Sequence, residues 1–229
     1  MMKDNIFSIC LGNNSNTLKG CKNDSLIFFN YLLMLHQNKN LKENWIRPCI
    51  LKDNNVAVNN IKNLISNCTE RIDKILLFYS GHGYHKDKIN IYSNDRKIIS
   101  SSFLIKNLNS VLKNDICLYI ILDCCYSGSF QIVPFDKIKK IKLISSTLEN
   151  QKSTESVINK NNSTIKDFLN ADSEENITVG TFTFHFVNLL IKLNINCIDN
   201  FKLVFYDEES TNIWFCIGVI GKHFPKIIW

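Results

Sequence analysis

Ile120-Ile121-Leu122-Asp123-Cys124-Cys125-Tyr126-Ser127-Gly128 decides how this chain is read. The apolar run 117–122 ends abruptly in a carboxylate, two thiols and, three residues on, a glycine. Continuous apolar residues without polar alternation fit a strand buried on both faces, as in a parallel sheet covered by helices. Lys74-Ile75-Leu76-Leu77-Phe78-Tyr79 repeats the pattern and breaks into Ser80-Gly81-His82-Gly83. In open α/β sheets, sites form in the crevice beyond the carboxyl ends of the strands. Two strand ends thus present a thiol and an imidazole, with glycines that let a backbone approach closely.

Outward from these strands, apolar runs alternate with amphipathic stretches. Residues 6–11 read as a first strand, and 24–35 as a helix faced by Leu26, Phe29, Leu32 and Leu33, with Asn23 or Asp24 as cap. Strand, helix, strand follow at 48–51, 56–65 and 74–79; residues 89–92 read as a short hairpin strand, 102–112 as a helix and 141–145 as a further strand. Residues 149–178 are polar, rich in Ser, Asn, Lys and Glu, and read as a long exposed loop. A helix over 180–193 and strands at 201–205 and 213–219 complete the chain. The expectation is an α/β single domain: three layers, a mostly parallel sheet of about six strands, and helices on both faces. Within it, 1–148 carries the His and Cys ends, 149–178 is a flexible polar loop, and 179–229 forms a smaller second part.

At 229 residues with 45% apolar and 21% charged content, the chain can bury a full core. The net charge of +6 arises from scattered lysines; only Arg47, Arg71 and Arg96 are arginines. The densest run, Lys137, Lys139, Lys140 and Lys142, reads as a solvated face, so no nucleic-acid partner is expected. Nine cysteines include no C-x-x-C pair and no zinc spacing, and several sit in apolar runs as small hydrophobes. That usage fits a reducing, cytoplasmic setting. No apolar run reaches a membrane span, and the N-terminus lacks a secretory core, so no membrane partner is expected.

A thiol is only a few per cent ionised at neutral pH; an adjacent imidazole takes its proton and later returns it to a leaving amine. Here the residues become specific. Ser80-Gly81-His82-Gly83 and Asp123-Cys124-Cys125-Tyr126-Ser127-Gly128 resemble the two catalytic motifs of the metacaspases, the caspase-related cysteine peptidases of clan CD. Leu18-Lys19-Gly20-Cys21-Lys22-Asn23-Asp24, Ile144-Ser145-Ser146 with Gln151 and Ser153, and Gly180-Thr181-Phe182-Thr183 resemble further signatures of that family. The resemblance spans residues 6–193. It implies a caspase-like fold, Cys125 as nucleophile, His82 as acid–base partner, and an oxyanion hole from the backbone N–H groups of Gly83 and Cys125. It also matches Cys21, Asp24, Ser80 and Asp123 to the positions lining the S1 pocket. On an extended backbone Asp123 and Cys125 share one side and Cys124 faces away.

Two carboxylates in that pocket imply protein or peptide substrates with Arg or Lys at P1. Each charge-assisted bond is worth roughly 1.5–3 kcal/mol, so two give about two to four orders of magnitude of discrimination. Asp24 equally suits a helix cap. The family usually carries His where Tyr126 stands. The aspartates that hold calcium in many metacaspases align with Ser100, Ser101, Ser102 and Ile132, so no metal and no cofactor is expected, and activity is expected without calcium. A monomer is implied by resemblance. Lys160 and Lys166 are candidate self-cleavage points in the polar stretch. The competing reading is a catalytically silent caspase-fold regulator, which Tyr126 favours and the full set of pocket residues opposes.

Overall fold

The computed structural model describes residues 3–89, 91, 98–133, 135–159, 165–169, 175–205 and 226–228. In chain order the elements are β1 (Asn5–Gly12), α1 (Cys21–Gln37), β2 (Asn44–Trp45), β3 (Cys49–Lys52), α2 (Val58–Asn67), β4 (Lys74–Ser80), β5 (Gly83–Tyr84), β6 (Lys88–Ile89) and β7 (Ile99–Ser100). There follow α3 (Ser101–Asn109), β8 (Ile116–Asp123), β9 (Ile138–Ser145), β10 (Glu155–Asn159), β11 (Asn176–Gly180), α4 (Thr181–Lys192) and β12 (Lys226–Ile228).

The main sheet runs β12-β9-β8-β4-β1-β2, with β3 also paired to β1. Its strands pair in parallel except for β12, which is antiparallel to β9. Continuous apolar sequence is explained by burial on both faces. Phe7, Ile9 and Leu11 of β1, Ile75, Leu77 and Tyr79 of β4, and Leu118, Ile120 and Leu122 of β8 join one core with Val58, Ile61 and Ile65 of α2 and Leu104, Ile105 and Leu108 of α3. The alternate residues Ile6, Cys10, Leu76, Phe78, Tyr119 and Ile121 join a second core with α1 and α4. There Phe28 stacks on Phe78 at 4.6 Å between ring centroids. This is the three-layer α/β arrangement the sequence predicts.

β1 turns toward β3 on one side, while β4, β8 and β9 build out on the other, so the strand order reverses between β1 and β4. A crevice opens at such a switch point. The register Gly12↔Ser80 and Ser80↔Asp123 brings the three strands to an end at the same level.

Several expectations change. The stretch 149–178 is not one open loop: β10 and β11 pair antiparallel, from Glu155↔Gly180 to Asn159↔Asn176. Residues 198–205 form a 3-10 helix rather than a strand, with Phe201 buried against Trp45 and Phe28. The strand expected at 213–219 lies outside the described residues, as does Lys160; Lys166 opens a short 3-10 turn. Lys142 is buried rather than solvated, paired with Asp199, and Lys137 donates to the Leu112 carbonyl at 2.7 Å. At the amino end of the sheet, Lys74 contacts Glu43 at 2.8 Å and Asp199 at 3.1 Å. These pairs fasten the 198–205 turn beneath the sheet.

Candidate active site

α1 starts at Cys21, three residues before the helix expected from the sequence. The N–H groups at and just before its start are met from outside. The Glu155 carboxylate accepts from Lys19 N at 3.0 Å and Gly20 N at 2.6 Å, and Asn14 Oδ1 accepts from Lys22 N at 2.9 Å. Asp24 is therefore not the cap. It lies inside the first turn, buried, where Oδ1 accepts from Gly180 N at 2.7 Å and Oδ2 from Ser80 Oγ at 2.7 Å.

Asp123, the last residue of β8, is also buried. Its Oδ1 accepts from Ser153 Oγ at 2.7 Å, and its Oδ2 from Thr183 N at 3.1 Å and Thr183 Oγ1 at 2.7 Å. The two carboxylates flank one point. A Cβ on Gly180 would strike Asp123 Oδ2 and lie 2.8 Å from Asp24 Oδ2. Burial and then the Asp123 charge push the Asp24 carboxyl up, against the Ser80 and Gly180 hydrogen bonds. Burial likewise raises Asp123, with Thr183 and Ser153 opposing. A like-charged pair out of water favours taking up a proton or a cation.

Both carboxylates line one small cleft together with Cys21, Ser80, Cys125 and Glu155. The Cys21 thiol is pushed up by burial and then by Asp24. The four sequence-predicted pocket residues and the predicted nucleophile thus border a single space. Glu155 is a third carboxylate at its wall, and the sequence reading missed it because the residue lay in the stretch taken for a loop.

The two thiols of the Cys-Cys pair separate cleanly. Cys124 is 1% exposed in the core under α2 and α3, and burial pushes its thiol far above the ordinary range. Cys125 is half-buried and borders the cleft. Its turn is anchored from below: Tyr126 N donates to Gln151 O at 2.7 Å, and Thr147 Oγ1 to Cys124 O at 3.2 Å. Tyr126 takes a left-handed backbone, φ 56°, and lays its ring on His85 at 3.7 Å. His85 is exposed and stands beside the nucleophile turn.

His82 follows β4 by two residues, as Cys125 follows β8, so the register Ser80↔Asp123 sets them at adjoining strand ends. Gly83 packs directly on the thiol's own residue: a Cβ there would collide with the Cys125 carbonyl oxygen and lie 2.9 Å from Cys124 Sγ. Tyr79 Oη donates to the His82 carbonyl at 2.9 Å and fixes the turn. His82 Nε2 lies 2.7 Å from Ser15 Oγ, itself held by the N–H groups of Thr17 at 3.2 Å and Leu18 at 3.1 Å. Ser15 comes from the loop after β1, and nothing in its local sequence announces it.

The caspase domain family model matches residues 5–183, from the start of β1 into α4. The chain belongs to the caspase-domain family of cysteine peptidases. The match takes in every predicted site residue. No curated protein matches the chain. Among the described residues no helix is long and apolar enough to cross a membrane.

Among the described residues one group, Glu43, Cys197 and Asp199, brings three metal-ligating atoms together. Lys74 and Lys142 already lie on its carboxylates, at the opposite end of the sheet from the cleft. In the segment where the resemblance sought calcium ligands, Ser100 Oγ caps α3 by accepting from Phe103 N at 3.2 Å, and Ser101 Oγ donates to Asp87.

Proposed function

We propose that this caspase-domain peptidase is of the metacaspase kind and cleaves protein or peptide substrates after Arg or Lys. The observation that carries the reading is the convergence of Asp24 and Asp123 on one point of a cleft bordered by Cys125. A substrate guanidinium or ammonium entering there meets two carboxylates already aimed by four hydrogen-bonding neighbours, so little reorganisation is needed. An acidic P1 residue meets like charge. Glu155 adds a third acidic wall.

In the reaction, His82 takes the thiol proton and the Cys125 sulfur attacks the scissile carbonyl carbon. The oxyanion rests on the N–H groups of Gly83 and Cys125, whose close packing supports such a pair of donors. His82 then protonates the departing amine as the C–N bond breaks, and water hydrolyses the thioester. Ser15 Oγ lies 2.7 Å from Nε2 and steadies the ring. Calcium plays no part in this scheme. Serines stand in place of carboxylates at 100–102, so the segment lacks the charge a calcium site needs. The chain acts as a monomer.

A peptidyl-lysine chloromethyl ketone tests the assignment. One equivalent should alkylate Cys125, read by peptide mass mapping, and the matching aspartyl reagent should not. Modification at another cysteine, or equal reaction with both reagents, contradicts the assignment.

A further inference from the structure

Asp87 is a buried carboxylate outside the cleft, five residues beyond His82 in the turn joining β5 to β6. It and Lys86 both adopt left-handed backbones, φ 62° and 63°, which residues with a Cβ rarely do. Such a conformation persists where the surroundings over-determine it. Here they do so from two directions. Oδ2 accepts from Ser101 N at 3.2 Å and Ser101 Oγ at 2.5 Å, at the start of α3. Oδ1 accepts from Gln131 N at 3.0 Å, on the chain that leaves the nucleophile turn. The Asp87 N–H donates to Ser129 Oγ at 3.1 Å, and that hydroxyl donates on to the Tyr126 carbonyl at 2.8 Å.

One side chain therefore joins three segments: the hairpin that carries His82, the first turn of α3, and residues 126–131 immediately after Cys125. The hairpin itself is short, with two paired positions between β5 and β6 and two between β6 and β7. Its own ladder gives it little rigidity. Burial pushes the Asp87 carboxyl up while the Ser101 and Gln131 donors pull it back, as fits an acid kept for its acceptor oxygens.

We propose that Asp87 is a positioning residue for the dyad, an internal carboxylate latch that holds the His82 hairpin against the Cys125 turn. The proposal rests on the dyad assigned above. Reacting groups displaced by about 1 Å can lose on the order of a hundredfold in rate, so a latch of this kind acts on turnover. The two carboxylates that hold the P1 cation come from α1 and the end of β8, and neither bonds Asp87, so the latch acts on turnover more than on substrate affinity.

The test compares wild type with Asp87→Ala, Asp87→Asn and Ser101→Ala at a temperature where each is folded by circular dichroism. It reads kcat and KM on a P1-Arg peptide and the rate of Cys125 alkylation by iodoacetamide. Asp87→Ala should lower kcat about 10- to 100-fold with KM changed less than threefold, and slow alkylation in step. Asp87→Asn should fall between, because its amide oxygen still accepts from Gln131 N while its amide nitrogen opposes Ser101 N. Ser101→Ala should lose least. Should Asp87→Ala fail to fold, Asp87→Asn decides. A folded Asp87 variant with wild-type kcat and alkylation rate, or one that raises KM at unchanged kcat, overturns the latch. Failure of the dyad is seen separately: His82→Ala would then leave the alkylation rate at the wild-type value.

Discussion

Replacing Asp24 by asparagine isolates the charge of the P1 cleft from its architecture. The amide oxygen can still accept from Gly180 N, now 2.7 Å away, and the amide nitrogen can donate to Ser80 Oγ, also 2.7 Å away, once that hydroxyl turns. What is lost is one anion facing the substrate cation. A charge-assisted bond contributes about 1.5–3 kcal/mol, and 1.4 kcal/mol is a factor of ten. kcat/KM on Arg and Lys peptides should therefore fall about 10- to 150-fold, while the Cys125–His82 chemistry is untouched. Stability should not fall, because burial and Asp123 already disfavour the charged form of Asp24. The assay is kcat/KM on matched Arg, Lys and norleucine peptides alongside thermal melting. An Asp24→Asn protein that melts like wild type and cleaves after Arg at the wild-type rate refutes the two-carboxylate account of specificity.

Other outcomes follow from the same geometry. Cys124→Ser should retain activity within severalfold, since that thiol is buried and held protonated, whereas Cys125→Ser should lose it; peptide hydrolysis of the two variants decides. Gly180→Ala should abolish cleavage after Arg while leaving a folded protein, because the new methyl enters the space between Asp123 and Asp24; turnover and circular dichroism together check it. The pH dependence has two windows with opposite signs. Asp24 and Asp123 are raised above the ordinary value of about 3.9, so the folded state keeps protons the unfolded chain has released. Their contribution to stability therefore declines as pH rises through that window, and KM for an Arg peptide rises as pH falls through it, since protons compete with the cation. Asp199 is opposed by burial but held well below the usual range by Lys142, Tyr119 and Lys74, so its contribution is present above the ordinary carboxylate value and lost as pH falls toward the lowered one. Melting curves of wild type, Asp24→Asn and Asp199→Asn across pH 3–8 separate the windows: the first variant should flatten the upper one and the second the lower.

The sheet was legible because β1, β4 and β8 are buried on both faces, and such strands must be continuously apolar. The reactive strand ends were legible because Asp123-Cys124-Cys125 and Ser80-Gly81-His82-Gly83 break that apolar run abruptly. What stayed hidden depends on partners far along the chain. Glu155 and Gly180 belong to a hairpin of two five-residue strands whose Val, Ile and Thr residues are diluted by the polar stretch around them, and its value lies in docking on the start of α1, some 135 positions away. Ser15 looks like any loop serine until the β1–β4 pairing brings it to His82. Lys142 sat in a lysine run that looks solvated, yet Asp199 draws it inward. Residues 198–205 have strand-like composition, but Phe201 packs among Phe28, Trp45 and Phe186 as part of a 3-10 turn. Tertiary packing there overrides local preference.

The most direct test of the central claim is hydrolysis of fluorogenic peptides with Arg, Lys or Asp at P1 by wild type and Cys125→Ala, with EDTA and with added calcium. The account predicts cleavage after Arg and Lys, none after Asp, loss of both activities in Cys125→Ala, and rates unchanged by EDTA or calcium. Cleavage after Asp, activity surviving in Cys125→Ala, or dependence on calcium would contradict it.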